Sequence, residues 1–264
     1  MDLKLTGKVV LVTGSTAGIG FAIAQSLARE GADIYVNGRT RQRVDAAISA
    51  IRSHVAAGEV DGIEADFSDP AASEKIIARL PAVDVLVNNV GIFEPKPFAK
   101  ITDADWYRFF EVNVMSGVRL ARHYLPGMLK KNWGRILFIS SESAVQIPAE
   151  MVHYGMTKTA QVAVARGIAE SVAGTGVTVN SILVGPTASE GVAIFLETMA
   201  KQQNKATAEL EKEFFQNARP SSLLKRFATP DEVAAIVTYL AGEVSSATNG
   251  AAIRADGGVV RAIL

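Results

Sequence analysis

Lys8-Val9-Val10-Leu11-Val12-Thr13-Gly14-Ser15-Thr16-Ala17-Gly18-Ile19-Gly20 decides the fold. It opens with an apolar run of strand length and ends in a glycine-bearing turn. A helical pattern follows over Gly18–Glu30, with Ile19, Ile23 and Leu27 on one face, and Gly31 stops it. Glycines at such a turn let the backbone approach a phosphate. The helix start behind them offers unpaired N–H groups and the positive end of a dipole.

The same alternation runs outward to the chain end. Strands are predicted at Lys8–Thr13, Ala32–Asn37, Gly62–Ala65, Val83–Asn88, Gly134–Ser140, Val177–Val184 and Ala251–Ala255. Helices are predicted at Arg41–Val55, Pro70–Leu80, Val152–Ala173 and Thr229–Ala241, the last opened by a Thr229/Glu232 capping box. Thr102–Lys131 holds one long or two short helices. The polar stretch Ser189–Asn217 reads as helix and belongs to an insertion, Thr187 to about Ala228, that breaks the strict alternation. Strand–helix alternation predicts a parallel sheet of about seven strands, doubly wound, with helices on both faces.

Composition narrows the function classes. The chain has 264 residues, 27 basic and 27 acidic, so its formal net charge is zero. That argues against a nucleic-acid or acidic-membrane partner. It has no cysteine, which removes disulfides and thiolate chemistry. His54, His123 and His153 show no metal-ligand spacing, and no metal is expected. The longest apolar runs are strand length, too short to span a membrane, and the expected location is cytoplasmic.

Tyr154 and Lys158 stand four apart on a predicted helix and share a face. A free tyrosine ionises near pH ~10. A nearby ammonium is expected to lower that value and fit the phenol to pass a proton to or from a reacting oxygen. Ser141, at the end of the fifth strand, can hold that oxygen. Ser140 is its rival, on the opposite face of the strand. His153 reads as a wall residue.

The spacing Gly14, Gly18, Gly20 after Thr13, with Asn88-Asn89-Val90-Gly91, Asn113, Ser141, Tyr154-Gly155-Met156-Thr157-Lys158 and Gly185-Pro186 in order, resembles the short-chain dehydrogenase/reductase family. Within it the chain looks most like the branch of 3-oxoacyl-acyl-carrier-protein reductases. The resemblance implies one Rossmann-type domain over residues 1–264 with a substrate-lid segment at 187–228. It implies a catalytic set of Asn113, Ser141, Tyr154 and Lys158. Lys158 is expected on the nicotinamide ribose, and Asn113 is expected to anchor a water relay behind it. The cofactor contacts expected are Gly14, Ser15, Thr16, Gly18, Ile19, Gly20, Arg39, Thr40, Asp66, Phe67, Asn88, Asn89, Gly91, Tyr154, Lys158, Gly185, Pro186 and Thr187.

The second strand ends Asn37-Gly38-Arg39-Thr40, with Gly38 where an acidic residue would bind ribose hydroxyls. Arg39, with Arg41 and Arg43 near, suits a 2′-phosphate, so NADP(H) is preferred and NAD(H) stays possible. Phe93, Glu142, Gln146, Met151 and Gly185 are pocket candidates. Phe195, Leu196 and Met199 are either an apolar lid or the insertion's packing face. The activity expected is NADPH-dependent reduction of a ketone or 3-oxoacyl group. The alternatives are an NAD-dependent alcohol or sugar dehydrogenase and a catalytically silent cofactor-binding regulator. The partner is a small carbonyl or alcohol substrate. The apolar tail Val259–Leu264 and the family's habit point to a homotetramer, with a dimer the alternative.

Overall fold

The computed structural model describes residues 2–55 and 58–263. The strands are β1 Val9–Val12, β2 Asp33–Gly38, β3 Val60–Glu64, β4 Val85–Asn88, β5 Gly134–Ser141, β6 Val177–Val184 and β7 Ala252–Ala255. They form one parallel sheet in the order β3-β2-β1-β4-β5-β6-β7. Every residue of β5 and β6 is buried, as a parallel strand covered on both faces requires.

The longer helices are α1 Gly18–Arg29, α2 Arg41–Arg52, α3 Ala72–Arg79, α4 Asp103–Phe110, α5 Ser116–Lys131, α6 Val152–Ser171, α7 Glu190–Gln203, α8 Thr207–Glu213 and α9 Pro230–Ala241. Ile23, Leu27, Val44, Val233 and Val237 close one face of the sheet over Val10, Val12 and Ile34. Ile76, Leu120, Met128, Ala165 and Ala169 close the other over Leu11, Leu86 and Ile136. Fully burying one such leucine or isoleucine is worth about 1.5–3 kcal/mol, so these two layers fix the sheet on which the site is mounted.

The strand order reverses beside β1: β2 pairs with it on one side and β4 on the other. The connections leaving β1 and β4 therefore part, and a crevice opens at their carboxyl ends. Ligands of open α/β sheets bind in such crevices. Asn89 ties the two ends together, donating its side-chain N–H to the carbonyls of Thr13 at 3.0 Å and Gly14 at 2.9 Å.

Two predicted helical stretches divide. Thr102–Lys131 is α4, a π-helical turn Glu111–Met115 and α5. The Ser189–Asn217 stretch is α7, α8 and a second π-turn, Phe214–Ala218; Asn204, in a left-handed conformation, ends α7. The two ends of this excursion meet in a parallel bridge between Thr187 and Ala228. Among the described residues no helix is long and apolar enough to cross a membrane, and no cluster of acidic or histidine side chains could hold a metal ion.

Candidate active site

A cavity of about 480 Å³ lies at the carboxyl ends of the central strands. Ile19, Asn89, Gly91, Ser141, Tyr154, Lys158, Gly185, Pro186 and Thr187, all named from the sequence, line it. Of the pocket candidates, Phe93, Glu142, Met151 and Gly185 line it, as do Leu196 and Met199 of α7. Gln146 does not; it is exposed at the end of a short turn. The side chain of Phe195 lies outside the described residues.

The start of α6 is fastened to the end of β5. Ser140 Oγ donates to the Lys158 carbonyl at 2.8 Å, and Thr159 Oγ1 donates to the Ala144 carbonyl at 2.8 Å. Ser140 is thus consumed by the helix backbone. Ser141 is the serine beside the Tyr154 hydroxyl. Lys158 Nζ stands 5.6 Å from the Tyr154 ring centroid and donates to the Ile139 carbonyl at 2.9 Å.

The electrostatics depart from the expectation. Burial raises the Tyr154 phenol well above its usual range, and the Glu142 charge pushes it the same way, against Ser141 and Arg219. Burial also lowers Lys158, to about 8. Desolvation sets the direction, and the Lys158 ammonium bonds the main chain and the side chain of Gln161 rather than the phenol. The phenol therefore holds its proton at neutral pH.

Asn113 is buried behind the lysine in the π-turn that joins α4 to α5. Its Oδ1 accepts from the Ile92 N–H at 2.8 Å, and its Nδ2 donates to the Ile92 carbonyl and to Thr157 Oγ1, each at 3.0 Å. Between Asn113 and Lys158 stands Gln161, which the sequence reading missed. Its Nε2 donates to the Asn113 carbonyl at 2.6 Å, and its Oε1 accepts from Lys158 at 3.1 Å. Its position one turn after Lys158 is the signal that could have found it.

The glycine turn fits a dinucleotide phosphate. α1 has no side-chain cap and no acidic residue in its first turn, so its N–H groups face outward unneutralised. A Cβ on Gly20 would sit 2.4 Å from both Asn89 Nδ2 and the Gly14 carbonyl; a larger residue would displace the turn. A Cβ on Gly38 would meet the Thr16 methyl at 2.4 Å, which keeps an acidic side chain out. Arg39 beside it is exposed. Arg41 pairs with Asp45 and Arg43 with Glu190, while Arg39 makes no ion pair among the described residues.

Three expected contacts, Ser15, Thr40 and the Phe67 side chain, are engaged elsewhere. Ser15 Oγ turns inward, donating to the Val12 carbonyl at 2.7 Å and accepting from the Asn37 N–H at 2.9 Å, so it shapes the turn. Thr40 caps α2 through the Arg43 N–H. Phe67 is buried in the core, whereas Asp66 is exposed at the end of β3. Asn88 is buried with both side-chain polar atoms unpartnered. His153 is buried behind the site against Phe109, ring centroids 4.0 Å apart, and does not line the cavity.

The sequence also gives no sign of Arg219, whose buried guanidinium Nε donates to Glu142 at 2.9 Å from beyond the second π-turn. A contact across so much intervening chain leaves no local signal.

Residues 8–200 match the short chain dehydrogenase family. The chain is a short-chain dehydrogenase. The family is one of oxidoreductases, and the relatives agree. An uncharacterized oxidoreductase of Bacillus subtilis, YvaG, is 46% identical over 263 residues, covering 100% of both chains. The 3-oxoacyl-[acyl-carrier-protein] reductase FabG of Aquifex aeolicus is 33% identical over 98% of this chain and 100% of its own. The L-sorbose reductase of Gluconobacter frateurii, solved with NADPH and L-sorbose, superposes with a TM-score of 0.92 at 29% identity, covering 100% of both chains. The short-chain dehydrogenase fold thus extends over the whole chain, residues 187–228 included.

Proposed function

We propose that the chain reduces a ketone or 3-oxoacyl group to a secondary alcohol with NADPH. One observation carries this reading: Ser141, Tyr154 and Lys158 converge on a single cavity that reaches the glycine turn at Ile19 and the segment after β4 at Gly91. The bound cofactor supplies the hydride. Gly14, Thr16, Gly18 and Gly20 with the start of α1 hold its phosphates, Asp66 and the Phe67 backbone its adenine end, and Asn88, Asn89, Gly91, Lys158 and the Gly185–Thr187 segment its nicotinamide end.

Tyr154, kept protonated by burial, gives its proton to the oxygen that becomes the alcohol. Ser141 fixes that oxygen beside it. Lys158 is held against β5 by Ile139 and stays charged below its value of about 8. Arg39 takes the 2′-phosphate, because Gly38 admits no competing carboxylate and the neighbouring arginines are engaged.

The 187–228 segment acts as the lid, with Leu196 and Met199 as its apolar underside. A second reading, a hydroxylated ketone such as a sugar, is favoured by the charged pair Glu142–Arg219 in the cavity wall and by the structural likeness to L-sorbose reductase. A homotetramer is the assembly proposed, and a monomer in sedimentation contradicts it.

The test is NADPH oxidation against a panel of ketones, ketoses and 3-oxoacyl thioesters. Turnover of the thioesters alone supports the first reading and of ketoses alone the second. No turnover of any contradicts both.

A further inference from the structure

We propose that Arg219 selects the substrate: the outer edge of its guanidinium takes a second, uncharged oxygen, carried on a carbon near the ketone that Ser141 holds. The inference rests on the ketone reduction proposed above and names what the ketone must carry besides its reacting carbonyl.

Arg219 is set in the cavity wall by a distinctive piece of backbone. It follows the second π-turn, Phe214–Ala218, a helical form that recurs at functional sites. Its N–H donates to the Phe214 carbonyl at 2.9 Å, and its carbonyl accepts from the Ser222 N–H at 3.1 Å. The guanidinium lies 5.8 Å from the centroid of the Phe214 ring, and that ring stacks on Phe227 at 5.2 Å. Phe214, Ala218, Arg219 and Phe227 all line the cavity. The charge is fixed before a substrate arrives, so binding leaves little to order.

The donors of the guanidinium can be accounted for one by one. Nε donates to Glu142 at 2.9 Å, and Nη1 donates to the Ala218 carbonyl at 2.9 Å and to Glu150 at 3.4 Å. Nη2 makes no hydrogen bond or ion pair among the described residues. A strap between this segment and the end of β5 needs only Nε and Glu142. A donor edge on a buried charge calls for an acceptor, and the cavity is where a substrate supplies one.

One carboxylate separates this edge from the reacting oxygen. Glu142 accepts from Arg219 on Oε1 and from Ser141 on Oε2, so guanidinium and serine hydroxyl flank the same side chain. A ketone oxygen on Ser141 therefore brings the neighbouring carbons toward Arg219. The same contacts decide the charge of the second oxygen. Glu142 and the half-exposed Glu150 already flank the guanidinium, and an anionic group would meet both. The hydroxyl of a ketose or the thioester carbonyl of a 3-oxoacyl group accepts the N–H without that repulsion.

The test uses a matched pair of ketones for each source: hydroxyacetone against butanone, and ethyl acetoacetate against heptan-2-one, all assayed by NADPH oxidation. The wild type should prefer the oxygen-bearing member of at least one pair by about tenfold or more in kcat/KM. Preference in the first pair points to a ketose, and in the second to a 3-oxoacyl group. Arg219→Lys keeps a charge beside Glu142 but lacks the Nη2 edge. Glu142→Gln/Arg219→Leu removes both charges together, so that neither is stranded. In both variants the preference should fall about tenfold, chiefly through KM of the oxygen-bearing ketone. The acetoacetate anion should be a poorer substrate than its ethyl ester. Three results would each overturn the role of Arg219: a wild type indifferent to the second oxygen in both pairs, variants that keep the preference or lose both members of a pair alike, and an anion favoured over the ester. A wild type that oxidises NADPH with none of these ketones overturns the ketone reduction itself, and the inference falls with it.

Discussion

Lys158 Nζ donates to the main-chain carbonyl of Ile139 at 2.9 Å from a buried position. Burial has lowered its pKa from 10.5 to about 8. Between those values the unfolded chain binds a proton that the folded chain has released, so stability rises as pH climbs through the interval. Thermal unfolding of the wild type and of Lys158→Met from pH 7 to 10.5 checks this. The wild type should gain up to about 3 kcal/mol relative to the variant across the window. A constant difference between them contradicts the burial argument.

Arg39 is the next test. If it holds a 2′-phosphate, Arg39→Ala removes a charge-assisted contact worth about 1.5–3 kcal/mol. NADPH affinity should then drop by about tenfold or more while NADH affinity barely moves. Nicotinamide fluorescence titration reads both. Equal losses for the two cofactors would make Arg39 a structural residue.

Gly20 carries a packing prediction. An added methyl meets Asn89 Nδ2 and the Gly14 carbonyl, each at 2.4 Å, and neither can withdraw without opening the turn. Gly20→Ala should cost about 1–3 kcal/mol in denaturant unfolding and weaken both cofactors together. Wild-type affinity in that variant would show that the turn does not hold the phosphates.

The lid proposed for residues 187–228 makes a dynamic prediction. Its two ends are clamped by the Thr187–Ala228 bridge, and its apolar underside faces the cavity. Amide hydrogen exchange over residues 187–228 should slow when NADPH is added, whereas β5, already buried throughout, should not change. Exchange in the segment that ignores NADPH would leave it a fixed wall.

The sheet was legible because parallel strands buried on both faces are apolar runs. β6 falls at the residues the sequence predicts, and β1 within one residue at each end. Edges were less legible: β3 starts at Val60, since Asp61 and Gly62 interrupt its apolar signal. The division of Ser189–Asn217 turned on the backbone of Asn204, a residue that also fits a helix interior. At the site, local spacing pointed to Tyr154 and Lys158, which share one helix. It could not reveal Gln161 as a bridge or Arg219 as the partner of Glu142, because both depend on where distant chain segments settle. The direction of the Tyr154 shift was misjudged for a related reason: burial outweighs a neighbour four residues away, and burial is a property of the folded wall.

The central claim is that Tyr154 passes the proton. The most direct measurement is Tyr154→Phe, assayed for NADPH-dependent ketone reduction and, in the same preparation, for NADPH binding. The account predicts turnover reduced by about a hundredfold or more with NADPH affinity close to wild type. Wild-type turnover in that variant would contradict it.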